Sequence, residues 1–325
     1  MRALVTGAAG FIGSHLSAAL LDRGDDVIGV DAFTDFYPRA VKAANVAPLQ
    51  ARPGFRLVEG ALQSMPLDDV LDGVTHVFHL AAQAGVRTSW GAEFGVYTRH
   101  NVEATQRLLE ACKDRPLVRF VYASSSSVYG DEAPLPMQED VPLHPVSPYG
   151  VTKLAGEHLS HLYHASFGVP AVALRYFTVY GPRQRPDMGF HRFIRAALTG
   201  EPITLYGDGA QTRDFTYVAD AVRATLEAGD RGRAGAVYNI GGGSRVSVNE
   251  VLAVIGRLTG RAPDARRAPA QKGDMRDTWA DTTRARQELD YRPTFALEAG
   301  LAAECAWLDG QLGAAAPAPS GAERG

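Results

Sequence analysis

The sequence is poor in cysteine and in long apolar runs. Its two cysteines, Cys112 and Cys305, lie far apart and without metal-ligand spacing, so we expect two buried thiols in a reducing compartment and not a disulfide. It has no apolar run of roughly 18 residues, the minimum for a membrane-spanning helix. Its opening residues, RALVTG, lack the apolar stretch and the cleavage site of a signal peptide. These absences predict a cytoplasmic protein that does not enter a membrane.

An excess of charge of one sign is also missing. The chain has 33 lysines and arginines against 36 aspartates and glutamates, which gives a net charge of −3 and a pI near 6.3. Because the two signs are intermixed along the chain, we predict no surface that binds nucleic acid or membrane lipid. None of the 9 histidines stands in a metal-binding pattern, so we also predict no metal.

Hydrophobic residues are plentiful, at 46% of 325 residues, which is enough for a large core. In the first half, runs rich in Val, Ile, Leu and Phe alternate with amphipathic segments. This pattern is typical of a parallel sheet covered by helices on both faces, so we predict a doubly wound α/β fold over residues 1–186. Residues 187–312 are predicted to form mainly a smaller α/β lobe for substrate, with some segments interleaved with the first. The Ala-, Pro- and Gly-rich residues 313–325 are predicted to be disordered.

A glycine motif near the start indicates a dinucleotide site. In TGAAGFIGSHL, Gly7, Gly10 and Gly13 fall between a predicted strand and a predicted helix, where they allow a tight turn and let backbone N–H groups approach a pyrophosphate. The next strand, DVIGVD, ends at Asp31, whose carboxylate can accept both hydroxyls of an adenosine ribose. That carboxylate would repel a 2′-phosphate, and no arginine directly follows it. We therefore predict a Rossmann-type fold that binds NAD in preference to NADP.

A tyrosine and a lysine four residues apart are candidate catalytic residues. Tyr149 and Lys153, in SPYGVTKLAGEHL, lie on one face of a predicted helix. A lysine ammonium and a positively charged nicotinamide beside the phenol are expected to lower the pKa of Tyr149 so that it can act as a base. An isolated pair of this kind often only packs together, but the upstream dinucleotide motif favours the catalytic interpretation.

Several motifs together resemble one known family. TGAAGFIG, HLAAQAGVR, the serine run that ends in VYG, YGVTK and RDFTYVAD are similar to motifs of the extended short-chain dehydrogenase/reductase family, over roughly residues 1 to 310. The similarity is particularly to its UDP-sugar 4-epimerases that act on UDP-glucuronic acid. It implies a retained NAD and a homodimer formed through helices that begin near Val102 and Tyr149. It also implies that Tyr149 removes the proton of the sugar 4-hydroxyl, that Ser125 binds this hydroxyl, and that Lys153 holds the nicotinamide ribose.

The resemblance also implies a set of cofactor residues and one departure. The residues implied to line the cofactor are Gly7, Gly10, Phe11, Ile12, Gly13, Asp31, Leu80, Ala81, Ala82, Asn101, Tyr149, Lys153 and Tyr176. The family usually has an aspartate after the glycine of the third strand, where it binds adenine. This chain has Ala61 and Leu62 there, so the resemblance does not say how adenine is recognised.

The serine run itself distinguishes between related reactions. The 4,6-dehydratases of the family have an Asp-Glu pair directly before VYG, and the UDP-glucuronate decarboxylases have a glutamate there, whereas this chain has Ser126 and Ser127. Because serine cannot act as a general acid or base near neutral pH, dehydration is disfavoured and decarboxylation lacks its helper. We expect Ser125, Ser126, Ser127, Thr178 and Arg185 to surround a uronate carboxylate. The alternative is that the serines satisfy local backbone groups and that Arg185 forms a surface salt bridge.

The second half supplies candidates for binding uridine diphosphate. Arg213 and Arg276 are expected at the phosphates, Arg87 at the pyrophosphate or the sugar, and Asp274 at a ribose hydroxyl. Thr204 and Tyr206, in TLYG, resemble a family strand that contacts uracil near Phe190.

The predicted activity is NAD-dependent interconversion of UDP-glucuronic and UDP-galacturonic acid through a transient 4-keto sugar. Two other enzymes stay open, a UDP-glucose/UDP-galactose 4-epimerase and a UDP-glucuronate decarboxylase. A fourth possibility is a binding module without chemistry, against which the intact Ser125, Tyr149 and Lys153 argue.

Overall fold

The structure, a computed structural model, describes residues 1–315 of the chain. Its strands are β1 (Arg2–Thr6), β2 (Asp26–Asp31), β3 (Phe55–Glu59), β4 (His76–His79), β5 (Arg119–Ser125), β6 (Ala171–Tyr176), β7 (Val179–Tyr180), β8 (Ile203–Tyr206), β9 (Thr212–Asp214), β10 (Thr216–Tyr217), β11 (Val237–Ile240), β12 (Arg245–Ser247) and β13 (Ala265–Ala268). Its α-helices are α1 (Phe11–Asp22), α2 (Arg39–Gln50), α3 (Asp68–Leu71), α4 (Phe94–Tyr97), α5 (Ala104–Cys112), α6 (Pro148–Phe167), α7 (Gly189–Thr199), α8 (Val218–Arg231), α9 (Val248–Thr259), α10 (Thr283–Leu289) and α11 (Leu297–Ala315). A π-helical segment, Thr98–Glu103, joins α4 to α5.

Seven parallel strands form the central sheet, in the order β11-β6-β5-β4-β1-β2-β3. Strands β1, β4, β5 and β6 are almost wholly buried, as expected where helices cover both faces of a sheet. The chain runs outward from β1 to β3 and then crosses back to β4. A crevice therefore opens between the carboxyl ends of β1 and β4, the place where ligands bind in such sheets. The predicted doubly wound Rossmann-type fold is confirmed.

The second lobe is built from short strand pairs and three helices. Its two-stranded sheets pair β10 with β7, β12 with β9 and β13 with β8. Helices α7, α9 and α11 pack around an apolar core that includes Phe190, Ile194, Phe215, Val251, Ile255, Leu301 and Leu308. Two elements that follow α7 in sequence return to the first lobe, because α8 packs on α1 and β11 forms one edge of the central sheet. The two lobes are therefore interleaved at residues 218–240.

A late segment also returns to the region that follows the serine run. The backbone of Met137 donates to the carbonyl of Trp279 at 2.7 Å and accepts from the N–H of Asp281 at 2.9 Å. The side chain of Asn239 donates to the carbonyl oxygens of the same Met137 and Asp281, at 2.9 and 3.2 Å. These contacts hold the end of the segment 274–281, which includes the predicted substrate residues Asp274 and Arg276, against the chain that follows the serine run.

Three expectations on chain-level features can be compared with the structure. Cys112 and Cys305 are both buried and unpaired, which confirms the prediction of free thiols. Among residues 1–315, no helix has the length and apolar character needed to cross a bilayer. The expected disordered tail was placed too early, because residues 313–315 belong to α11, whose alanine-rich end favours continued helix. The rest of that tail, residues 316–325, lies outside the described residues.

Candidate functional site

A deep cavity opens at the carboxyl ends of β1, β2, β4 and β5, and it brings together most of the predicted cofactor residues. Those that line it are Gly7, Gly10, Phe11, Ile12, Gly13, Asp31, Leu80, Ala81, Ala82, Tyr149, Lys153 and Tyr176. Arg185, predicted for the substrate, lines the same cavity. The sheet thus places the candidate base, the candidate cofactor site and one arginine predicted to bind the substrate side by side.

The glycine turn packs so closely on its neighbours that larger residues would clash with backbone atoms. A Cβ on Gly13 would lie 2.1 Å from the carbonyl oxygen of Gly7, and a Cβ on Gly7 would lie 2.9 Å from the backbone nitrogen of Ala81. Gly7 also has φ +72°, a backbone conformation that favours glycine. Because only hydrogens occupy these positions, the turn packs directly against α1 and against the loop after β4. The N-terminus of α1 lines the cavity through Gly10, Phe11 and Ile12, as a bound pyrophosphate requires. These residues therefore fit a dinucleotide.

The carboxylate of Asp31 is held at the end of β2 by backbone donors. Its Oδ2 accepts from the N–H of Ala9 at 3.0 Å, and its Oδ1 accepts from the N–H of Phe33 at 2.8 Å. The Nζ of Lys42 lies 3.9 Å from Oδ1 and donates to the carbonyl of Thr34 at 2.9 Å. Asp31 is therefore fixed toward the cavity that it lines. Lys42 was missed by the sequence analysis, because it comes from the following helix and belongs to no motif.

Helix α6 carries Tyr149 and Lys153 against the serine run. The hydroxyl of Ser147 caps the helix by accepting from the N–H of Gly150 at 3.1 Å. A Cβ on Gly150 would lie 2.3 Å from the carbonyl oxygen of Ser127, so only glycine lets the first turn approach the serines this closely. The helix start thereby places the Tyr149 phenol beside Ser125.

The ionisation of Tyr149 differs from the expectation. Burial raises the pKa of Tyr149, while the hydrogen bond with Ser125 and the positive charge of Arg185 oppose this increase. Lys153 directs its Nζ to the carbonyl of Ala123 at 2.7 Å, so it is not the cation that acts on the phenol in the protein. Burial lowers the pKa of Lys153 itself to about 8, against the opposing charge of Glu157. The expected lowering of the Tyr149 pKa by Lys153 is therefore wrong for the protein's own groups, among which Arg185 supplies the stabilising charge.

The four serines do not play equivalent roles. The hydroxyls of Ser125 and Ser127 lie 3.1 Å apart, and the Ser125 hydroxyl also accepts from the backbone N–H of Ser127 at 3.1 Å. Ser126 is buried, and its carbonyl accepts the N–H of Tyr129 at 3.1 Å. The hydroxyl of Ser124 instead donates to Glu157. Ser125 is thus the serine placed against Tyr149, and Ser124 belongs to a different set of contacts.

Ser124 is one end of a buried polar network beneath the site. Glu157 accepts from Nε of Arg175 at 3.0 Å and from Nη2 at 2.9 Å, and both side chains are buried. Arg175 also donates to the hydroxyl of Tyr129 at 2.9 Å, which in turn donates to Asn239 at 2.7 Å. The network therefore joins the serine run and α6 to β6 and β11. No motif pointed to it, since each member comes from a different element.

Arg185 and Thr178 flank the loop that follows β6. The guanidinium of Arg185 uses Nε and Nη2 to pair with the two carboxylate oxygens of Asp187, each at 3.0 Å. Its Nη1 makes no hydrogen bond to any of residues 1–315, and its side chain is 20% exposed. Thr178 is partly buried between β6 and β7, and its carbonyl accepts the N–H of Thr216 at 3.0 Å. Arg185 can therefore bind a second anion while it remains paired with Asp187.

The predicted diphosphate and ribose residues form a second group, apart from the residues that line the cavity. Arg87 and Asp274 make an ion pair with a shortest distance of 2.6 Å, and the guanidinium of Arg87 lies 4.4 Å from the ring centre of Tyr206. Arg213 donates to the carbonyl oxygens of Met275 at 2.6 Å and Thr212 at 2.8 Å. Arg87 and Tyr206 thus stack on each other, with Asp274 paired to the arginine.

The remaining substrate candidates lie elsewhere. Arg276 pairs with Asp208 at 3.0 Å, and both are exposed. Phe190 is 4% exposed, and its ring packs against Phe215 at 4.6 Å in the core of the second lobe. Thr204 lies in β8, opposite Arg266 of β13. Of the predicted substrate residues, Arg185 alone lines the cavity, and the roles of the others at the uridine diphosphate and the sugar remain predictions.

Asn101 lies behind the cofactor site and not in its wall. It is 1% exposed and donates to the hydroxyl of Thr152 at 2.9 Å and to the carbonyl of Gln83 at 3.0 Å. Its side-chain oxygen Oδ1 accepts from the backbone N–H of Gln83 at 2.7 Å. Asn101 therefore ties the loop after β4 to α6, within the π-helical segment, which is a common feature of functional sites.

Further wall residues were missed by the sequence analysis. They are Val30, Ala32, Thr34, Phe36, Tyr37, Lys42, Gly60, Leu62, Gln63, Gln83, Ala84, His100, Ala104, Ala123 and Ser124. The adjacent aromatic residues Phe36 and Tyr37, shortly after Asp31 in the chain, are the one local signal that could have indicated some of them. Within residues 1–315, no three histidine, cysteine or carboxylate side chains group together as a metal site would require.

Comparisons with known proteins agree with this geometry. The family model described as NAD dependent epimerase/dehydratase matches residues 3–241. A Bacillus subtilis (strain 168) protein named uncharacterized UDP-glucose epimerase YtcB is 47% identical over 310 residues, which cover 95% of this chain and 98% of that protein. UDP-glucuronate 4-epimerase of Thermodesulfobacterium geofontis (strain OPF15) is 37% identical over 309 residues, 94% of this chain and 95% of that protein. The crystal structure of UDP-glucuronic acid 4-epimerase from Bacillus cereus, in complex with UDP-glucuronic acid and NAD, matches with a TM-score of 0.93 and 44% identity, over 96% of this chain and 100% of that one.

Proposed function

Because the chain belongs to the NAD-dependent epimerase/dehydratase family, we propose that it is an NAD-dependent UDP-glucuronic acid 4-epimerase. One observation carries this proposal. Tyr149, with Ser125 beside it, and Arg185 meet at the cavity that the glycine turn and Asp31 also line. This arrangement combines a base for a sugar hydroxyl, a site for a dinucleotide and a cation for a uronate carboxylate.

The chain's own residues account for cofactor binding. The glycine turn and the N-terminus of α1 would hold the pyrophosphate of NAD, Asp31 the adenosine ribose, and Lys153 the nicotinamide ribose. The ammonium of Lys153 has three N–H groups, of which the carbonyl of Ala123 takes one. When bound, NAD supplies a reversible acceptor for the hydride of the sugar C4.

Tyr149 carries the proton in both halves of the reaction. It takes the proton of the 4-hydroxyl as the C4 hydride departs, and it returns a proton to the 4-keto oxygen when hydride is restored on the other face of the sugar. Ser125 donates to the same sugar oxygen and keeps it near the phenol. The charge of Arg185 opposes the rise in the pKa of Tyr149 that burial causes, and so favours the phenolate. No net oxidation results, and the configuration at C4 is inverted.

The carboxylate contacts serve a second purpose. Oxidation of C4 makes the uronate a β-keto acid, which loses CO2 most readily when the bond to its carboxylate stands perpendicular to the ketone plane. Donors from Arg185, Thr178 and Ser126 or Ser127 would hold the carboxylate out of that orientation. Since neither Ser126 nor Ser127 can act as an acid or base, the site favours retention of the carboxylate.

A neutral UDP-hexose is the second candidate substrate, because one relative is named for UDP-glucose. A purified sample incubated separately with UDP-glucuronic acid and UDP-glucose, and followed by NMR, tests the proposal. We expect UDP-galacturonic acid as the main product and slower turnover of UDP-glucose. Preferential turnover of UDP-glucose would support the second candidate, and UDP-xylose as the main product would indicate a decarboxylase.

A matched pair of tyrosine variants tests the assigned base. Tyr149→Phe should abolish epimerisation while NAD remains bound, because it removes the proton carrier and little packing. Tyr163→Phe, on the same helix, removes a hydroxyl that contacts Gln106 and Glu110 outside the cavity, and it should retain activity. Full activity of Tyr149→Phe would contradict the assignment.

We also propose that the protein is a cytoplasmic homodimer. Val151 and Leu162 are 48% and 53% exposed on one face of α6, and Phe94, 39% exposed, lies on the neighbouring α4. An apolar stripe of this kind is more stable when a second copy covers it. Leu162→Glu should give a monomer in analytical ultracentrifugation, whereas Phe295→Glu, 45% exposed and contacting Tyr217 in the second lobe, should not. Free thiols fit a reducing compartment, and cell fractionation tests that location.

A further inference from the structure

The end of the cavity beside β3 is the place for the adenine of the dinucleotide. Asp31 ends β2, and the next strand outward in the sheet is β3. A base attached to the ribose that Asp31 binds therefore extends toward the carboxyl end of β3. The wall there consists of Val30, Gly60, Leu62, Gln63, Ala81, His100 and Ala104. This part of the cavity is mainly apolar, as suits a flat aromatic ring, and it has polar side chains at one edge.

Gln63 has a defined orientation at that edge. Its Nε2 donates to the backbone carbonyl of Arg99 at 3.0 Å and lies 3.0 Å from Nδ1 of His100. Since the carbonyl of Arg99 can only accept, the amide nitrogen must face it and the amide oxygen must point away. Burial lowers the pKa of His100, so its ring is neutral near pH 7 and its Nδ1 can accept as well. Both N–H groups of the amide are thus used.

The amide oxygen of Gln63 makes no hydrogen bond to any of residues 1–315. This oxygen is a neutral acceptor with two lone pairs. Its orientation is fixed because the N–H groups of the same amide face the Arg99 carbonyl and the His100 ring. A base that presents an amino group at this edge satisfies it, whereas a base that presents a carbonyl oxygen there meets another acceptor. The neighbouring Ala61 has no polar atom on its side chain that could replace it.

We infer that Gln63 reads the exocyclic amino group of adenine, and that the Gln63–His100 pair makes the cofactor site selective for adenine over a 6-oxopurine. The inference rests on the proposed binding of NAD and adds the residue that identifies its base. Gln63 touches the cofactor far from the sugar, so it acts on cofactor choice and not on the chemistry at C4.

A competition experiment tests the inference without an activity assay. The full-length chain, freed of bound nucleotide, is equilibrated with an equimolar mixture of NAD and nicotinamide hypoxanthine dinucleotide, in which an oxygen replaces the amino group. Bound nucleotides are then released and separated by chromatography. We expect the wild type to retain about ten times more NAD than the hypoxanthine dinucleotide. Replacing the amino group by oxygen removes one hydrogen bond to Gln63, and it places two acceptors, the base oxygen and the Gln63 amide oxygen, against each other.

Variants assign the selectivity to Gln63. Gln63→Met has a side chain of similar length without the amide, and Gln63→Ala introduces no steric clash. Each variant should bring the ratio of bound NAD to bound hypoxanthine dinucleotide close to one. Ser64→Ala, at the exposed neighbouring residue, should keep the wild-type ratio. A wild-type ratio near one, or an unchanged ratio in both Gln63 variants, would overturn the inference and leave the proposed epimerase intact. Failure to bind either dinucleotide would overturn the proposed function itself, and the inference with it.

Discussion

Replacement of Arg185 by alanine should separate uronate turnover from hexose turnover. The side chain is 20% exposed and lines the cavity, and Nη1 is the part of its guanidinium not used by Asp187. A charge-assisted hydrogen bond from a partly desolvated group contributes about 2 kcal/mol, which corresponds to roughly 30-fold in kcat/KM. A bond to each carboxylate oxygen would increase this loss further. UDP-glucose has a neutral hydroxymethyl group at this position and loses less.

Asp187 enlarges the predicted effect on the uronate. Its carboxylate pairs with Arg185 through two contacts of 3.0 Å, so Arg185→Ala leaves a negative charge close to the incoming carboxylate. The double variant Arg185→Ala/Asp187→Asn removes this repulsion and should recover part of the uronate activity. Because the charge of Arg185 also favours the Tyr149 phenolate, both substrates should lose some kcat at low pH.

The assay is a comparison of kcat/KM for UDP-glucuronic acid and UDP-glucose in each variant, with the products followed by NMR. Arg195→Ala is the matched control, since Arg195 lies on α7, is 51% exposed and pairs with Glu201 at 3.6 Å. It should change both values by no more than about twofold, as is usual for a surface substitution. Equal losses on both substrates in Arg185→Ala would refute the carboxylate assignment.

Three further predictions concern stability. Gly13→Ala should lower the free energy of unfolding by about 1 to 3 kcal/mol, because its Cβ would lie 2.1 Å from a backbone carbonyl oxygen; Gly310→Ala, whose Cβ meets nothing within 4 Å, should be neutral or stabilising in the same thermal melt. Arg175→Met should cost about 3 to 5 kcal/mol, because it leaves the buried Glu157 unpaired; urea denaturation would contradict this if the loss were under about 1 kcal/mol. Burial lowers the pKa of His79 to about 3. Between about pH 6.5 and 3, His79 is therefore protonated in the unfolded chain but stays neutral in the folded chain. Stability should therefore fall by about 3 kcal/mol from this group as pH drops from 7 to 4, and His79→Gln should flatten that slope in urea titrations at each pH.

Features that depend on short spacings were accessible from the sequence. The glycine turn, Asp31 at the end of β2 and the four-residue separation of Tyr149 and Lys153 each combine a local element with a fixed period. In a parallel sheet the carboxyl ends of neighbouring strands meet at one edge, which is why these local motifs line one cavity. The free thiols and the fold followed from composition and from the alternation of strands and helices.

Features that depend on distant partners were not accessible. Nothing near Arg87 in the chain indicates that it would pair with Asp274, and nothing near Gln63 indicates the carbonyl of Arg99. The expected effect of the Lys153 charge on the pKa of Tyr149 was wrong for the same reason, because the direction of the Lys153 amino group depends on where β5 presents the carbonyl of Ala123. Such contacts depend on how elements far apart in the chain pack against each other, and no short pattern in a single sequence indicates this packing.

The return of α8 and β11 to the nucleotide side limits how this enzyme can be recombined with its relatives. A chimera cut once, after the loop that carries Arg185, would take the edge strand and the helix against α1 from one parent and the rest of the sheet from the other. Mismatched side chains would then face each other across the main core. An exchange of sugar preference therefore needs three crossover points, with residues 218–240 kept with the parent that supplies the glycine turn.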